Sequence, residues 1–241
     1  MNIKTVIAGL AALFIAHAAC ADENEIKKSV DTVLGQMFGP EVKADAVRKA
    51  GVLNLYEIQI GSDVLYTDEK VSYIINGSIL DVKAKKDLTE ERKQKLSQIK
   101  FSDLPLNLAV KQVKGNGKRV LATFEDPNCS YCRKLAKELQ GMNDVTVYTF
   151  LYPILSPDSS EKAKNLWCAP DRAKAWNDLM IDGKQPVSAN CDHPTEKVTA
   201  LGRKLNIRGT PTMFFADGSR APGYMPAANL EKALDKGSAN K

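Results

Sequence analysis

Apolar residues recur along this chain with two different periods, and the places where the period changes divide it. In residues 24–37, Ile26, Val30, Val33, Leu34 and Met37 fall on one helical face, and Gly39-Pro40 ends the helix. From 42 to 82 the pattern is that of strands. Val52-Leu53-Asn54-Leu55-Tyr56-Glu57-Ile58-Gln59-Ile60 alternates after its start, and Gly61-Ser62-Asp63 turns. Val64-Leu65-Tyr66 and Val71-Ser72-Tyr73-Ile74-Ile75 follow. Asn76-Gly77 then precedes Ile79-Leu80-Asp81-Val82, and Asn-Gly between apolar runs predicts a hairpin. Residues 83–100 read as a helix with sparse apolar positions, Leu88, Leu96 and Ile99. Asp87 with Glu90 fits a capping box, and Glu91 stands four residues before Lys95. A helix so polar is expected to link domains through solvent.

Beyond residue 101 the order is strand, strand, helix, strand, helical insert, helix, strand, strand, helix. Segments 106–113 and 118–124 flank Lys114-Gly115-Asn116-Gly117, a predicted hairpin turn. Val145-Thr146-Val147-Tyr148-Thr149-Phe150-Leu151 reads as a buried strand, and 159–180 as a helical insertion whose Trp167 and Trp176 are packing residues. Residues 195–205 are helical, 212–216 and 219–224 pair across Asp217-Gly218, and 227–236 form the last helix. The predicted layout is an α+β N-terminal domain over 22–82, a linker helix over 83–100 and an α/β domain over 101–241. The first domain, about 60 residues, buries too little surface to be robust alone, so pairing with a second copy is expected.

The first 21 residues read as an export signal. Lys4 supplies the positive start, 6–15 are apolar but too short to span a bilayer, and Ala19-Cys20-Ala21 offers a cleavage site before Asp22. Lipid attachment at Cys20 is the rival reading, disfavoured by His17 where a Leu-like residue is usual. Cleavage after Ala21 leaves four cysteines, whereas cleavage after Ala18 or Ala19 leaves an odd one. Residues 22–81 hold six basic against eleven acidic residues while the whole chain is +5, which supports a boundary near residue 82. The basic residues beyond it are scattered without interleaved aromatics, which argues against nucleic acid as a partner.

Chemistry enters at Cys129-Ser130-Tyr131-Cys132, which follows the strand-like Arg119-Val120-Leu121-Ala122-Thr123-Phe124 and opens a helical stretch with Leu135, Ala136 and Leu139. Cys129 is thus expected at a helix N-terminus, where free N–H groups and the macrodipole favour a thiolate. Cys132 lies one turn further in and is expected to be more shielded. Half of a zinc site is the alternative, but zinc usually needs a second Cys/His pair at similar spacing and the chain has none. Cys168 and Cys191 bracket a polar, turn-rich stretch and are expected to close a structural disulfide, worth roughly 3 kcal/mol for a loop of this size. Gly209-Thr210-Pro211-Thr212 places proline at the entrance of a strand, compatible with a cis or a trans peptide.

These landmarks in this order resemble the thioredoxin fold and, within it, the DsbC/DsbG family of bacterial periplasmic thiol:disulfide interchange proteins. The resemblance spans essentially the whole mature chain. It rests on Phe124-Glu125-Asp126-Pro127-Asn128-Cys129-Ser130-Tyr131-Cys132, Trp167-Cys168, Gly209-Thr210-Pro211 and Pro222-Gly223-Tyr224, with a dimerisation domain and linker helix before them. It implies that Cys129 is the nucleophile, Cys132 the resolving thiol, Thr210 and Pro211 a cis-proline loop that positions substrate, and Cys168–Cys191 the structural disulfide. The implied activity is isomerisation or reduction of wrong disulfides in misfolded exported proteins, by a periplasmic homodimer recharged by a membrane reductant of the DsbD type, without metal or organic cofactor. A reductase of single oxidised cysteines and a dimeric chaperone are the competing readings. The inner Ser130-Tyr131 departs from the Gly-Tyr common in DsbC and the Pro-Tyr of DsbG. Relative to thioredoxin, the strand position six before Cys129 is Thr123 rather than an acid, so no buried carboxylate is expected beside Cys132. Glu125 and Asp126 are expected on the loop surface.

Overall fold

The computed structural model describes residues 22–239; the predicted export signal lies outside the described residues. Contacts divide the chain into two compact units, one running to Ile60 and resuming over Leu65–Asn76, the other made of Gly61–Val64 and the chain from Gly77 onward. Among the described residues no helix is long and apolar enough to cross a membrane.

In the first unit, helix α1 (Glu23–Phe38) starts at Asp22, whose carboxylate accepts the Asn24 N–H at 3.1 Å, and stops at Gly39 with φ 113°. It buries Ile26, Val30 and Leu34 against Ala44, Val47, Tyr56 and Ile58. The sheet below it runs β1 (Ala46–Lys49), β2 (Tyr56–Ile60), β3 (Asp63–Thr67), β4 (Ile74–Ile75) in spatial order.

Two predicted hairpins do not form. Asn76-Gly77 does not return β4 onto the next strand: β5 (Leu80–Asp81) pairs instead with β6 (Lys86–Asp87). A type I′ turn needs positive φ at both central residues, and neither Asn76 nor Gly77 has it. The Ile79 N–H is taken by the Thr89 hydroxyl at 2.9 Å. The linker helix is correspondingly shorter than 83–100. Lys85 (φ 53°) turns the chain into β6, and α2 covers only Leu88–Leu96, capped as expected by Asp87 accepting the Glu90 N–H at 2.8 Å.

The second miss is at Gly115–Gly117. Strand β7 (Val110–Lys114) does not pair with β8 (Arg119–Glu125); β9 (Val145–Leu151) lies between them, parallel to β8 and antiparallel to β7. Gly115 and Gly117 both have positive φ, and the Asp144 carboxylate at the entry to β9 holds the connection by accepting the Asn116 N–H at 2.8 Å. The five-stranded sheet closes with β10 (Thr212–Phe215) beside β8 and β11 (Arg220–Pro222) at the edge. Helices α3 (Ser130–Gln140) and α7 (Ala227–Ala239) share one apolar cluster with Leu121 and Met213, while α6 (Thr195–Lys204) shares another with Phe124, Phe150 and Phe214. The insertion is a helix pair, α4 (Pro157–Trp167) and α5 (Arg172–Met180), whose Trp167 and Trp176 pack with Cys129 and Cys132 in a third cluster.

Candidate active site

Strand β8 carries the chain to Glu125, and five residues later, at Ser130, the backbone enters α3. Cys129 is the N-cap of that helix: its sulfur accepts the Cys132 N–H at 3.1 Å, and its own N–H donates to the Asp126 carbonyl at 3.0 Å. The loop is held by Asp126, which is fully buried. One carboxylate oxygen accepts the Asn128 N–H (2.7 Å) and the Ser159 hydroxyl (2.8 Å), and the other accepts the N–H groups of Ile154 (2.6 Å) and Leu155 (2.9 Å). Asn128 extends the network, donating to Ser156 and Ser159 and accepting from Lys162 Nζ at 2.6 Å. The helical insertion therefore fixes the loop that presents the cysteines.

The two thiols are tuned in opposite directions. Cys129, 3% exposed, is pulled down to about 6. The hydrogen bond from the Cys132 thiol is the largest cause, and burial opposes it; the Thr210 hydroxyl and the N–H groups of Cys132 and Tyr131 add to the lowering. Cys132, fully buried, is pushed far above the ordinary thiol range by burial first, then by its bond to Cys129 and the negative charge of Glu125 and Cys129. Thr210-Pro211 is a cis peptide, and the Cys129 thiol donates to the Thr210 carbonyl at 3.3 Å. The buried Thr210 Oγ1 finds no hydrogen-bond partner of ordinary geometry among the described residues, so a thiolate at Cys129 is the acceptor it lacks. Pro211 is buried, its carbonyl accepting the Gly223 N–H at 2.8 Å. Tyr131, 55% exposed, and Tyr224 lie on the rim with ring centroids 6.4 Å apart, and Lys134 stands 4.9 Å from the Tyr131 ring.

Cys168 and Cys191 are joined in a disulfide that closes the insertion. His193 is half-buried, with Nδ1 2.9 Å from the Thr195 hydroxyl.

Glu125 and Asp126 require correction. Neither is on the loop surface: they are 1% and 0% exposed. The strand ends at Glu125, one residue later than the apolar run suggests, so period-2 alternation puts Leu121, Thr123 and Glu125 on one face. That alternation was the available signal. Glu125 accepts the Thr123 hydroxyl at 3.0 Å, and burial raises its carboxyl to about 8. A buried carboxyl therefore does stand near Cys132, two residues from the position where thioredoxin would have one.

The model of a thioredoxin-like domain matches residues 106–238, and that of the disulfide bond isomerase protein N-terminal domain matches 17–90. The probable thiol:disulfide interchange protein DsbC of Bordetella avium is 47% identical over 216 residues, 83% of this chain and 78% of that protein. The chain belongs to the DsbC family. The Escherichia coli thiol:disulfide interchange protein DsbC is 30% identical over 81% of this chain and 83% of its own length. The Bordetella parapertussis DsbC is 54% identical over 75% of this chain, and the chain spans 64% of that relative. Among solved structures, the disulfide interchange protein of Neisseria gonorrhoeae is 46% identical with TM-score 0.55, covering 56% of this chain and 99% of that one.

Proposed function

We propose that the protein is a periplasmic thiol:disulfide isomerase and reductase that rearranges incorrect disulfides in exported proteins through Cys129 and Cys132. The observation that carries this reading is the opposite tuning of the two neighbouring thiols, one held near pKa 6 at a helix N-cap and the other buried and protonated. Cys129 as thiolate attacks a substrate disulfide; a mixed disulfide forms and the second substrate sulfur leaves as thiolate. Another substrate cysteine then displaces Cys129, which shuffles the pairing and restores the thiolate. Alternatively Cys132 attacks, the substrate departs reduced and Cys129–Cys132 is left oxidised. That second route calls for an external thiol reductant, a membrane donor of the DsbD type. Thr210 and Pro211 would position the substrate backbone, a role supported by the 3.3 Å contact of the Thr210 carbonyl with Cys129.

The Cys168–Cys191 disulfide supports an oxidising compartment such as the periplasm. The small apolar core of the N-terminal unit supports a homodimer through residues 22–82, with 83–100 as connector and 101–241 as catalytic domain. A Cys132→Ser variant tests the reading directly. It should accumulate a covalent adduct with a misfolded disulfide-containing protein, seen by intact mass and lost with dithiothreitol. No adduct in Cys132→Ser, or the same adduct in Cys129→Ser, contradicts the proposal.

A further inference from the structure

Glycine directly follows asparagine or aspartate at Asn76-Gly77, Asn116-Gly117, Asp182-Gly183 and Asp217-Gly218. Such a step can close on itself, because a glycine carries no side chain to keep its nitrogen away from the preceding side-chain carbonyl carbon. At the last three of these steps the fold already uses the glycine nitrogen. Gly117 donates its N–H to the Lys114 carbonyl at 3.1 Å, Gly183 to that of Leu179 at 3.1 Å and Gly218 to that of Phe215 at 2.9 Å. All three glycines have positive φ, the geometry of a closed turn.

Asn76-Gly77 is different. It does not form the hairpin that its sequence suggests, Gly77 lacks positive φ, and the Gly77 N–H has no hydrogen-bond partner among the described residues. The Asn76 side chain is likewise unpaired among the described residues. That of Asn116 is pinned: its Oδ1 accepts the Lys118 N–H at 2.9 Å, and its own backbone N–H is held by the Asp144 carboxylate. Both asparagines are exposed, so room rather than exposure separates them. A Cβ placed on Gly77 would meet nothing within 4 Å, whereas one on Gly117 would lie 2.7 Å from Thr146 Oγ1.

We propose that Asn76 is a site of spontaneous deamidation, converted to aspartate and isoaspartate by attack of the Gly77 nitrogen, while Asn116 is protected. The Gly77 nitrogen loses its proton and bonds to Asn76 Cγ. The bond from Cγ to the side-chain nitrogen breaks, and that nitrogen leaves as ammonia with the proton. Water then opens the cyclic imide. Opening at Cγ leaves aspartate; opening at the main-chain carbonyl leaves isoaspartate, with a methylene inserted into the backbone. The change falls where one compact unit ends, at Asn76, and the other resumes, at Gly77. It adds a negative charge to a stretch of sequence whose Tyr73, Ile75 and Leu80 are exposed.

The test holds the purified protein in warm, mildly alkaline buffer and samples it over days. Peptide mapping by mass spectrometry reads each asparagine separately, and an isoaspartyl methyltransferase labels the rearranged product. To react, Asn116 must give up the hydrogen bonds at the Gly117 N–H and at its own Oδ1. Each is worth about fivefold in population, so Asn76 should convert roughly 25-fold faster. In denaturant that protection is gone, and the two Asn-Gly steps should convert within about twofold of each other. Conversion of Asn76 should speed up in proportion to hydroxide, and Asn76→Gln should abolish the acidic species that accumulates on ion exchange. No conversion of Asn76 in the folded protein, or conversion of Asn116 at an equal rate, would overturn the inference. A gap that persisted undiminished in denaturant would overturn it too, since neighbouring residues rather than the fold would then set the rate.

Discussion

At Cys129 ionisation strengthens the hydrogen bond that its sulfur already accepts from the Cys132 N–H at 3.1 Å and gives the Thr210 hydroxyl a charged acceptor. Because this acid has a lowered pKa, its reactive form is present above pH 6 and is lost as pH falls through that value. Alkylation of the reduced protein should be half-maximal near pH 6 and flat above about pH 7, with peptide mapping placing the label on Cys129 before Cys132. A half-maximum near the ordinary thiol value of about 8.5 would mean that the helix start does not tune it. The cysteine pair was legible from local order alone, because a Cys-x-x-Cys between a strand and a helix fixes which sulfur caps the helix. Glu125 was not. Its burial depends on the strand running one residue beyond the apolar run, a continuation signalled only by the alternation of Leu121, Thr123 and Glu125.

Between elements, Asp126 links the end of β8 to the start of the insertion through four hydrogen bonds that use both carboxylate oxygens. An asparagine can accept at only one of those positions and would turn N–H groups toward N–H donors at the other. Asp126→Asn should therefore destabilise the fold by about 3 kcal/mol and loosen the Cys129 loop. Chemical denaturation of the oxidised protein measures the first effect; a loss below about 0.5 kcal/mol would mean that the network is incidental. Helices were the legible elements, since an apolar stripe and a cap are local. Strand partners were less so: β7 and β8 are neighbours in sequence, yet β9, formed twenty residues later, takes the place between them. Asn76-Gly77 likewise reads as a hairpin only until Thr89 claims the Ile79 N–H.

For the whole molecule, the proposal is that two catalytic domains are joined through a dimer of N-terminal units, so that a misfolded substrate is held while its cysteines rearrange. Light scattering of the signal-free protein should give twice the chain mass, and a fragment beginning near Phe101 should be a monomer. That fragment should keep simple disulfide reduction and lose most isomerase activity; repair by the monomer equal to the full protein would require another explanation for the N-terminal unit. The order of domains was legible because the period of apolar residues changes where the chain passes from one to the next, whereas the dimer follows only from how little core the first unit has. The central claim, rearrangement of disulfides by Cys129, is tested most directly by recovery of activity in a scrambled multi-disulfide enzyme under a glutathione buffer. The wild-type protein should restore activity at substoichiometric concentration and Cys129→Ser should add nothing to the buffer; equal recovery with Cys129→Ser would contradict the account.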